Sequence, residues 1–156
     1  MKERNTIYLL NMNELPDETN YRFVAVLNKK IEVGRLMNAL GHMTAGLIGG
    51  YPNINDLQFL QYMDADNNVH PNISHYPFIV LKADNSNQIR TVRNKIKERH
   101  MPFTDFTSTM TVGTSQEQQD ETKNTPEIEL EYWGICTFGE TAILREFTKR
   151  FQLFRV

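Results

Sequence analysis

The most restrictive feature of the sequence is a nearly continuous apolar run, FIVLKA, at Phe78 to Ala83. Such a run is typical of a strand that is covered on both faces, because a strand with one face in water alternates apolar and polar residues. A second run, YRFVAVLN at Tyr21 to Asn28, also favours a strand. Both runs are too apolar for a sheet edge, so we expect them at the centre of one sheet.

Each of these strands is followed by a segment with helical periodicity. Gly34 to Ile48 predicts a helix, and the glycines and proline that come next are a typical stop signal. Its apolar residues recur at helical spacing and are Leu36, Ala39, Leu40, Met43 and Leu47. Asp84 or Asn85 can cap a second helix that runs to about Arg99. The buried stripe of that helix is predicted to be Ile89, Val92 and Ile96.

The remaining segments complete an α/β pattern. The stretch LQFLQYMDADNNVHPNISHYPFIVLKAD, residues 57–84, predicts two strands around a turn at Asp64 to Asn68. IELEYWGICTF predicts a further strand before a short helix at Thr141 to Arg150. The polar segment 113–126 has no apolar anchor, and we expect a flexible loop or a lid. The sequence therefore predicts a single domain at 21–156 after an N-terminal extension, 1–20, with a mixed sheet of four strands or slightly more and helices on both faces.

Composition excludes several classes of function. The 156-residue chain has a net charge of −2, a sequence pI of about 6.1 and no apolar run near the ~20 residues of a membrane-spanning helix. The net negative charge disfavours a tRNA partner, since surfaces that bind nucleic acid are usually rich in lysine and arginine. A single cysteine, Cys136, favours the cytoplasm. No nucleotide, cofactor or zinc motif is present, so we expect neither a cofactor nor a metal.

One helical face is the first candidate site. Arg35, Asn38 and His42 share a face of the first predicted helix, away from its apolar stripe. Three polar groups of different chemistry beside small residues are suited to line a pocket. The alternative is an ordinary solvated face that contains a histidine.

The segment TDFTSTMT is the second candidate. If it is a strand, Asp105, Thr107 and Thr109 share one face, and a carboxylate beside hydroxyls can position a water molecule or accept a proton. The alternative is that threonine is present because it favours strands and aspartate because it favours turns. The basic helix that ends near Arg99 is likewise either a phosphate-facing patch or a charged solvent face.

The order of these segments resembles the type II peptidyl-tRNA hydrolase superfamily and, within it, the family named domain of unknown function 2000. The likeness covers Tyr21 to Arg155 and rests on VGRLMNALGHMTAG with its Asn38-x-x-x-His42 pattern, FIVLKA, the Asp/Thr segment, ELEYWGICTFGE and TKRFQLFR. The resemblance implies a four-stranded mixed sheet with helices on both faces, and a homodimer. It also implies that the first helix and the Asp/Thr segment converge on one cleft.

Only some of the catalytic residues of the hydrolase superfamily have counterparts in this sequence. The family's Asp and Thr fall on Asp105 and Thr109, and its helix histidine on His42, which implies catalytic roles for these three residues. Its Gly-Lys pair is Gly34-Arg35 here, its glutamine position is Ala39, and a later threonine falls on Gly134. We therefore expect a binding protein that takes a small molecule or a protein partner in the cleft, with Arg35 and Asn38 as ligand-binding residues. The alternative is a hydrolase of ester-linked substrates such as peptidyl-tRNA.

Overall fold

A computed structural model of the protein describes residues 15–156. In chain order its elements are β1 (Tyr21–Asn28), α1 (Val33–Gly49), β2 (Phe59–Met63), β3 (Val69–Ser74), β4 (Phe78–Ala83), α2 (Ser86–Glu98), β5 (Phe103–Thr107), α3 (Ser115–Asn124), β6 (Tyr132–Glu140), α4 (Thr141–Thr148) and β7 (Gln152–Leu153). Most of the predicted N-terminal extension, 1–14, lies outside the described residues. None of the helices in 15–156 has the length and apolar character that crossing a membrane requires.

The main sheet is mixed and has five strands in the order β5-β6-β1-β4-β7. β1 and β4 are parallel, and every other neighbouring pair is antiparallel. The predicted mixed α/β sheet with β1 at its centre is thus confirmed, with one strand beyond the four that the resemblance implies. β7 pairs only with Leu81 and Lys82, so Phe78 to Val80 are half-buried and more exposed than their apolar run predicts.

Helices cover both faces of this sheet. Alternate residues of β1 point to opposite sides: Phe23, Ala25 and Leu27 pack beneath α1, whereas Val24 and Val26 pack beneath α2 and α4. The predicted arrangement is therefore confirmed. The buried stripe of α2 is the predicted one, with Asn85 as its cap. In α1, four of the five predicted core residues are buried, and Leu40 is half-buried.

The predicted hairpin is present, but outside the main sheet. β2 and β3 pair with each other alone, around a turn at Asp64 to Asn68. Asn67 has a φ of 64° there, a left-handed conformation that asparagine tolerates better than most residues. We refer to residues 59–74 as the arm.

The prediction of a loop at 113–126 is wrong in its secondary structure, because this segment contains α3. A reciprocal capping box starts the helix: Glu117 N donates to the Thr114 hydroxyl, and Thr114 N donates to the Glu117 carboxylate. α3 buries no side chain, so the hydrophobic periodicity from which helices are predicted is missing. The mobility of the segment stays a prediction.

Candidate functional site

The cleft that the sequence predicts is not formed, because its residues lie on opposite faces of the sheet. Thr104 in β5 donates a hydrogen bond to the Met43 carbonyl of α1 over 2.8 Å, so its side chain faces α1. The next residue, Asp105, points the other way and pairs with Arg93 of α2. His42 belongs to α1, and its ring centroid lies 6.1 Å from that of Phe106 on the α1 face. His42 and Asp105 therefore share no pocket.

Asp105 is already occupied by a partner. Arg93 Nε donates to Asp105 Oδ2 over 2.6 Å, and the two side chains are 20% and 17% exposed. The Arg93 guanidinium also lies over the rings of Phe103, at 5.5 Å, and Tyr132, at 5.6 Å. Burial lowers the pKa of Arg93, but the hydrogen bond and charge of Asp105 outweigh it and raise that pKa overall. This carboxylate holds α2 to the edge strand.

A second arginine of α2 extends this polar contact. Arg90 Nε donates to Glu127 Oε1 over 2.9 Å, and its guanidinium also donates to the carbonyls of Glu127, Ile128 and Leu130. Tyr132 donates its hydroxyl to the same Glu127 oxygen over 2.9 Å. Burial, with this hydrogen bond, raises the pKa of Tyr132 to about 12. Arg90 thus fixes the chain before β6 and Arg93 fixes β5, and neither is free to act in a phosphate-facing patch.

Thr109 is the middle member of a chain of three hydroxyl groups in which the donor and acceptor of each hydrogen bond are fixed. It belongs to the 3-10 turn Ser108–Thr111 and not to β5, so the predicted strand face ends at Thr107. The Thr122 hydroxyl donates to the Gln118 carbonyl over 2.7 Å, and since a carbonyl cannot donate, Thr122 must accept from Thr109. Thr109 in turn accepts from Thr107, again over 2.7 Å. The Thr109 hydroxyl proton thus points towards another hydroxyl and away from any base.

The polar face of α1 is exposed as the sequence predicts. Arg35, Asn38 and His42 are all exposed. The Arg35 guanidinium lies 5.3 Å from the centroid of the Trp133 ring, a cation–π distance. The Trp133 indole nitrogen is buried and has no hydrogen-bond partner among residues 15–156. Arg35 therefore covers an aromatic ring, while Asn38 and His42 face solvent.

Gly134 of β6 lies in close contact with the core between the sheet and α1. β6 has an irregularity opposite β5, where Thr107 pairs with Tyr132 but Phe106 pairs with Gly134. A Cβ at Gly134 would lie 2.8 Å from both Leu27 Cδ2 and Met43 Cε. A side chain at Gly134 would therefore require the ends of the Leu27 and Met43 side chains to shift.

One hollow lies beside this edge of the sheet. It is an open depression of about 550 Å³ between the turn Ser108–Thr111 and α3, a volume within the size range of small-molecule sites. Its lining residues are Met110, Ser115, Gln118, Gln119, Thr122 and Lys123. The lining has one ammonium group, two primary amides and two hydroxyls, with no carboxylate among these six. Sequence reasoning missed this hollow because it assigned the segment to a loop.

The described residues offer no metal site. Within 15–156, no three side chains of His, Cys, Asp and Glu come together as ligands would. Cys136 is buried, and burial raises the pKa of its thiol to about 12. A thiol of this kind is neither a nucleophile nor a ligand near neutral pH.

Comparison with known proteins shows the family. The sequence matches the model of the family described as Protein of unknown function (DUF2000) over residues 21–155, and the chain belongs to that family. No curated protein matches it. A solved structure of a protein of unknown function from Agrobacterium tumefaciens has 16% sequence identity and a TM-score of 0.74, over 87% of this chain and 98% of that one. At this identity the likeness shows the fold alone, and the wider link to peptidyl-tRNA hydrolases stays a prediction.

Proposed function

We propose that this member of the DUF2000 family binds a small organic acid in the hollow between α3 and the turn Ser108–Thr111, and does not hydrolyse esters. The donor-rich lining of the hollow carries the binding proposal. The bonding of Asp105 and Thr109 within the fold argues against hydrolysis. Asp105 forms an ion pair with Arg93, and the Thr109 hydroxyl donates its proton to the hydroxyl of Thr122. Asp105 and Thr109 thus act as structural residues, which bond β5 to α2 and the turn Ser108–Thr111 to α3.

Hydrolysis is disfavoured by the same geometry. A nucleophile or an activated water molecule needs a base within hydrogen-bond reach. His42 lies across the sheet from Asp105, and the proton of Thr109 is accepted by Thr122. Among the candidate residues, all of which lie within 15–156, none combines a free base with a positioned hydroxyl, and this argues against the hydrolase alternative.

The lining of the hollow favours an acceptor-rich ligand. Lys123, Gln118, Gln119 and Ser115 all carry donors, and a carboxylate accepts several such bonds at once. α3 packs mainly on the turn Ser108–Thr111 and buries no side chain, so it is suited to close over a ligand. The acidic residues elsewhere on α3 weaken the attraction, and we expect a Kd of about 1 mM. The lone buried thiol agrees with a reducing compartment, and we place the protein in the cytoplasm.

A nitrogen-15 NMR titration tests the ligand. Succinate and acetate should shift the side-chain amide signals of Gln118 and Gln119, whereas succinamide and acetamide should shift them much less. Lys123→Gln should abolish the difference between acid and amide. Gln116→Ala, on the same helix but outside the hollow, should change nothing. Acid binding that maps to other residues, or none from this panel, contradicts the proposal.

Release of the peptide from N-blocked aminoacyl-tRNA tests the absence of hydrolysis. We expect release at the rate of buffer alone. Turnover that Asp105→Asn abolishes would restore the hydrolase alternative, whatever the titration shows.

A further inference from the structure

Two arginines come together at the start of α4. Arg22 of β1 alternates with Val24 and Val26, so its side chain points to the face of the sheet that α4 covers. Its Nε donates to the Thr141 hydroxyl over 3.3 Å, and Thr141 is the first residue of α4. Arg145 follows Thr141 by four residues, so it lies on the same side of the helix and leans back towards the first turn.

The charges of the two guanidinium groups oppose each other. Burial lowers the pKa of Arg22, and the nearby charge of Arg145 lowers it further. Like charges that are held close together destabilise a fold unless an opposite charge lies between them. Within residues 15–156, neither arginine forms an ion pair with a carboxylate. An anionic ligand would supply the missing charge.

The acidic residues that are next to this pair in sequence do not neutralise it. Glu140 pairs with Tyr21 across the β1–β6 ladder, and paired residues point to the same side of a sheet. Tyr21 stacks on Phe138, on the α1 face, so Glu140 points away from Arg22. Glu146 is the ion-pair partner of Arg99.

Several hydrogen-bond donors meet at this point with no acceptor among the described residues. The Thr141 hydroxyl accepts from Arg22, so its own proton is available to a ligand. The Nη groups of Arg22 and the exposed guanidinium of Arg145 are available as well. A guanidinium presents its donors in a planar fork that matches two oxygens of a phosphate group. The positive end of the α4 dipole adds to the attraction.

We propose that Arg22, Arg145 and Thr141 bind the phosphate group of a phosphate monoester. A monoester carries nearly two negative charges at neutral pH, which matches the two guanidinium groups, and its terminal oxygens accept several hydrogen bonds at once. A diester or a carboxylate carries one charge and would leave one arginine uncompensated. The site shares no residue with the hollow beside α3, so it does not depend on the ligand proposed above.

A nitrogen-15 NMR titration of the full chain at pH 7 tests the charge requirement. Methyl phosphate should shift the backbone amide signals of Arg22 and of the first turn of α4, with a Kd of about 1 mM. Dimethyl phosphate, a diester with a single charge, should bind at least tenfold more weakly.

Substitution of one arginine tests the residues. Arg145→Gln should weaken methyl phosphate binding at least tenfold without lowering Tm, because it removes the repulsion in the free protein and Arg145 is exposed. Lys30→Gln removes the same charge from an exposed position beyond the far end of β1, and it should leave binding unchanged.

Vesicles separate the two sources of a phosphate monoester. Phosphatidic acid carries this group on a lipid, whereas phosphatidylglycerol is a diester. Sedimentation with the first kind of vesicle alone, abolished by Arg145→Gln, would assign the site to a lipid headgroup. No sedimentation would assign it to a soluble ester.

Three results would overturn the proposal: no shift up to about 20 mM methyl phosphate, equal binding of the diester, or binding that Arg145→Gln leaves intact. Shifts confined to Gln118 and Gln119 would place the anion in the hollow instead. The two proposed sites can therefore fail independently.

Discussion

Replacing Asp105 by asparagine should destabilise the protein, because Asp105 is the counter-ion of a mostly buried guanidinium. The amide would keep the shape of the side chain but remove its charge. Arg93 would then remain between α2 and β5 with its charge uncompensated, and it is held there by Phe103 and Tyr132. The sequence alone suggests the opposite, since a catalytic carboxylate can be neutralised at little cost in stability.

The magnitude follows from the burial of the pair. Exposed ion pairs contribute about 0–1 kcal/mol, whereas removing one partner of a fully buried pair costs about 3–5 kcal/mol. The Arg93 and Asp105 side chains are 20% and 17% exposed, so solvent screens part of the interaction. We expect Asp105→Asn to lower the free energy of unfolding by about 2 kcal/mol, and Tm by about 4–8 °C for a chain of this length.

Urea unfolding at pH 7, followed by fluorescence, measures this change. Trp133 is the only tryptophan and is 5% exposed, so its emission reports the loss of the core. Arg93→Met keeps the apolar stem over the two rings, and the double variant completes a mutant cycle. We expect the double variant to cost less than the two single losses together, by about 1–2 kcal/mol. Glu98→Gln, at an exposed position of α2, is the matched control.

A small effect would refute this reasoning. If Asp105→Asn changes the free energy of unfolding by less than about 0.5 kcal/mol, the range of ordinary surface substitutions, the ion pair does not hold α2 in place. Asp105 would then again be a candidate for chemistry. The same follows if the cycle shows no coupling with Arg93.

Three further substitutions test whether individual side chains contribute to the stability of the fold. His42→Ala should change the free energy of unfolding by less than about 0.5 kcal/mol in the same urea assay, because His42 is exposed; a larger loss would show a structural role. Thr122→Val removes the acceptor for Thr109 and should speed amide hydrogen exchange in α3 more than in α2, whereas equal exchange would argue that the hydroxyl chain does not hold α3. Because the folded state raises the pKa of the Cys136 thiol from 9.0 to about 12, its contribution to stability is complete below pH 9 and is lost as pH rises towards 12. Cys136→Ala should flatten the fall in Tm over that range, and an unchanged pH profile would contradict the assignment.

The elements with a periodic burial pattern were predictable. β1, α1 and α2 each bury one set of residues against a neighbouring layer, and that burial leaves a period of two or of about 3.6 in the sequence. The turn at Asp64 to Asn68 was predictable for another reason, since its residues tolerate the backbone angles it needs. For β7 the terminal segment FQLFRV allows either a final strand or a tail, because a pairing of only two residues leaves no period in the sequence.

The convergence of the candidate site was not predictable from these patterns. Helical phase shows that Arg35, Asn38 and His42 share a face, and strand phase separates Thr104 from Asp105. Neither the helical nor the strand periodicity indicates which face of the sheet a helix covers. That depends on whether Thr104 or Asp105 faces α1, and only the bond from Thr104 to the α1 backbone decides it. Arg93, the partner of Asp105, looks in sequence like any cation on a basic helix.

α3 shows why a polar segment can be ordered without an apolar anchor. Its start is fixed by the capping box, which satisfies backbone donors that a loop would leave to water. It is further tied to the sheet through Thr122, Thr109 and Thr107, where bonding between hydroxyls replaces the burial of a side chain. Each bond adds only about 1 kcal/mol, which is small beside the entropy of ordering ten residues. The helix is therefore the element that a ligand in the adjacent hollow would stabilise most, and the threonine that the resemblance marks as catalytic is the residue through which α3 is attached.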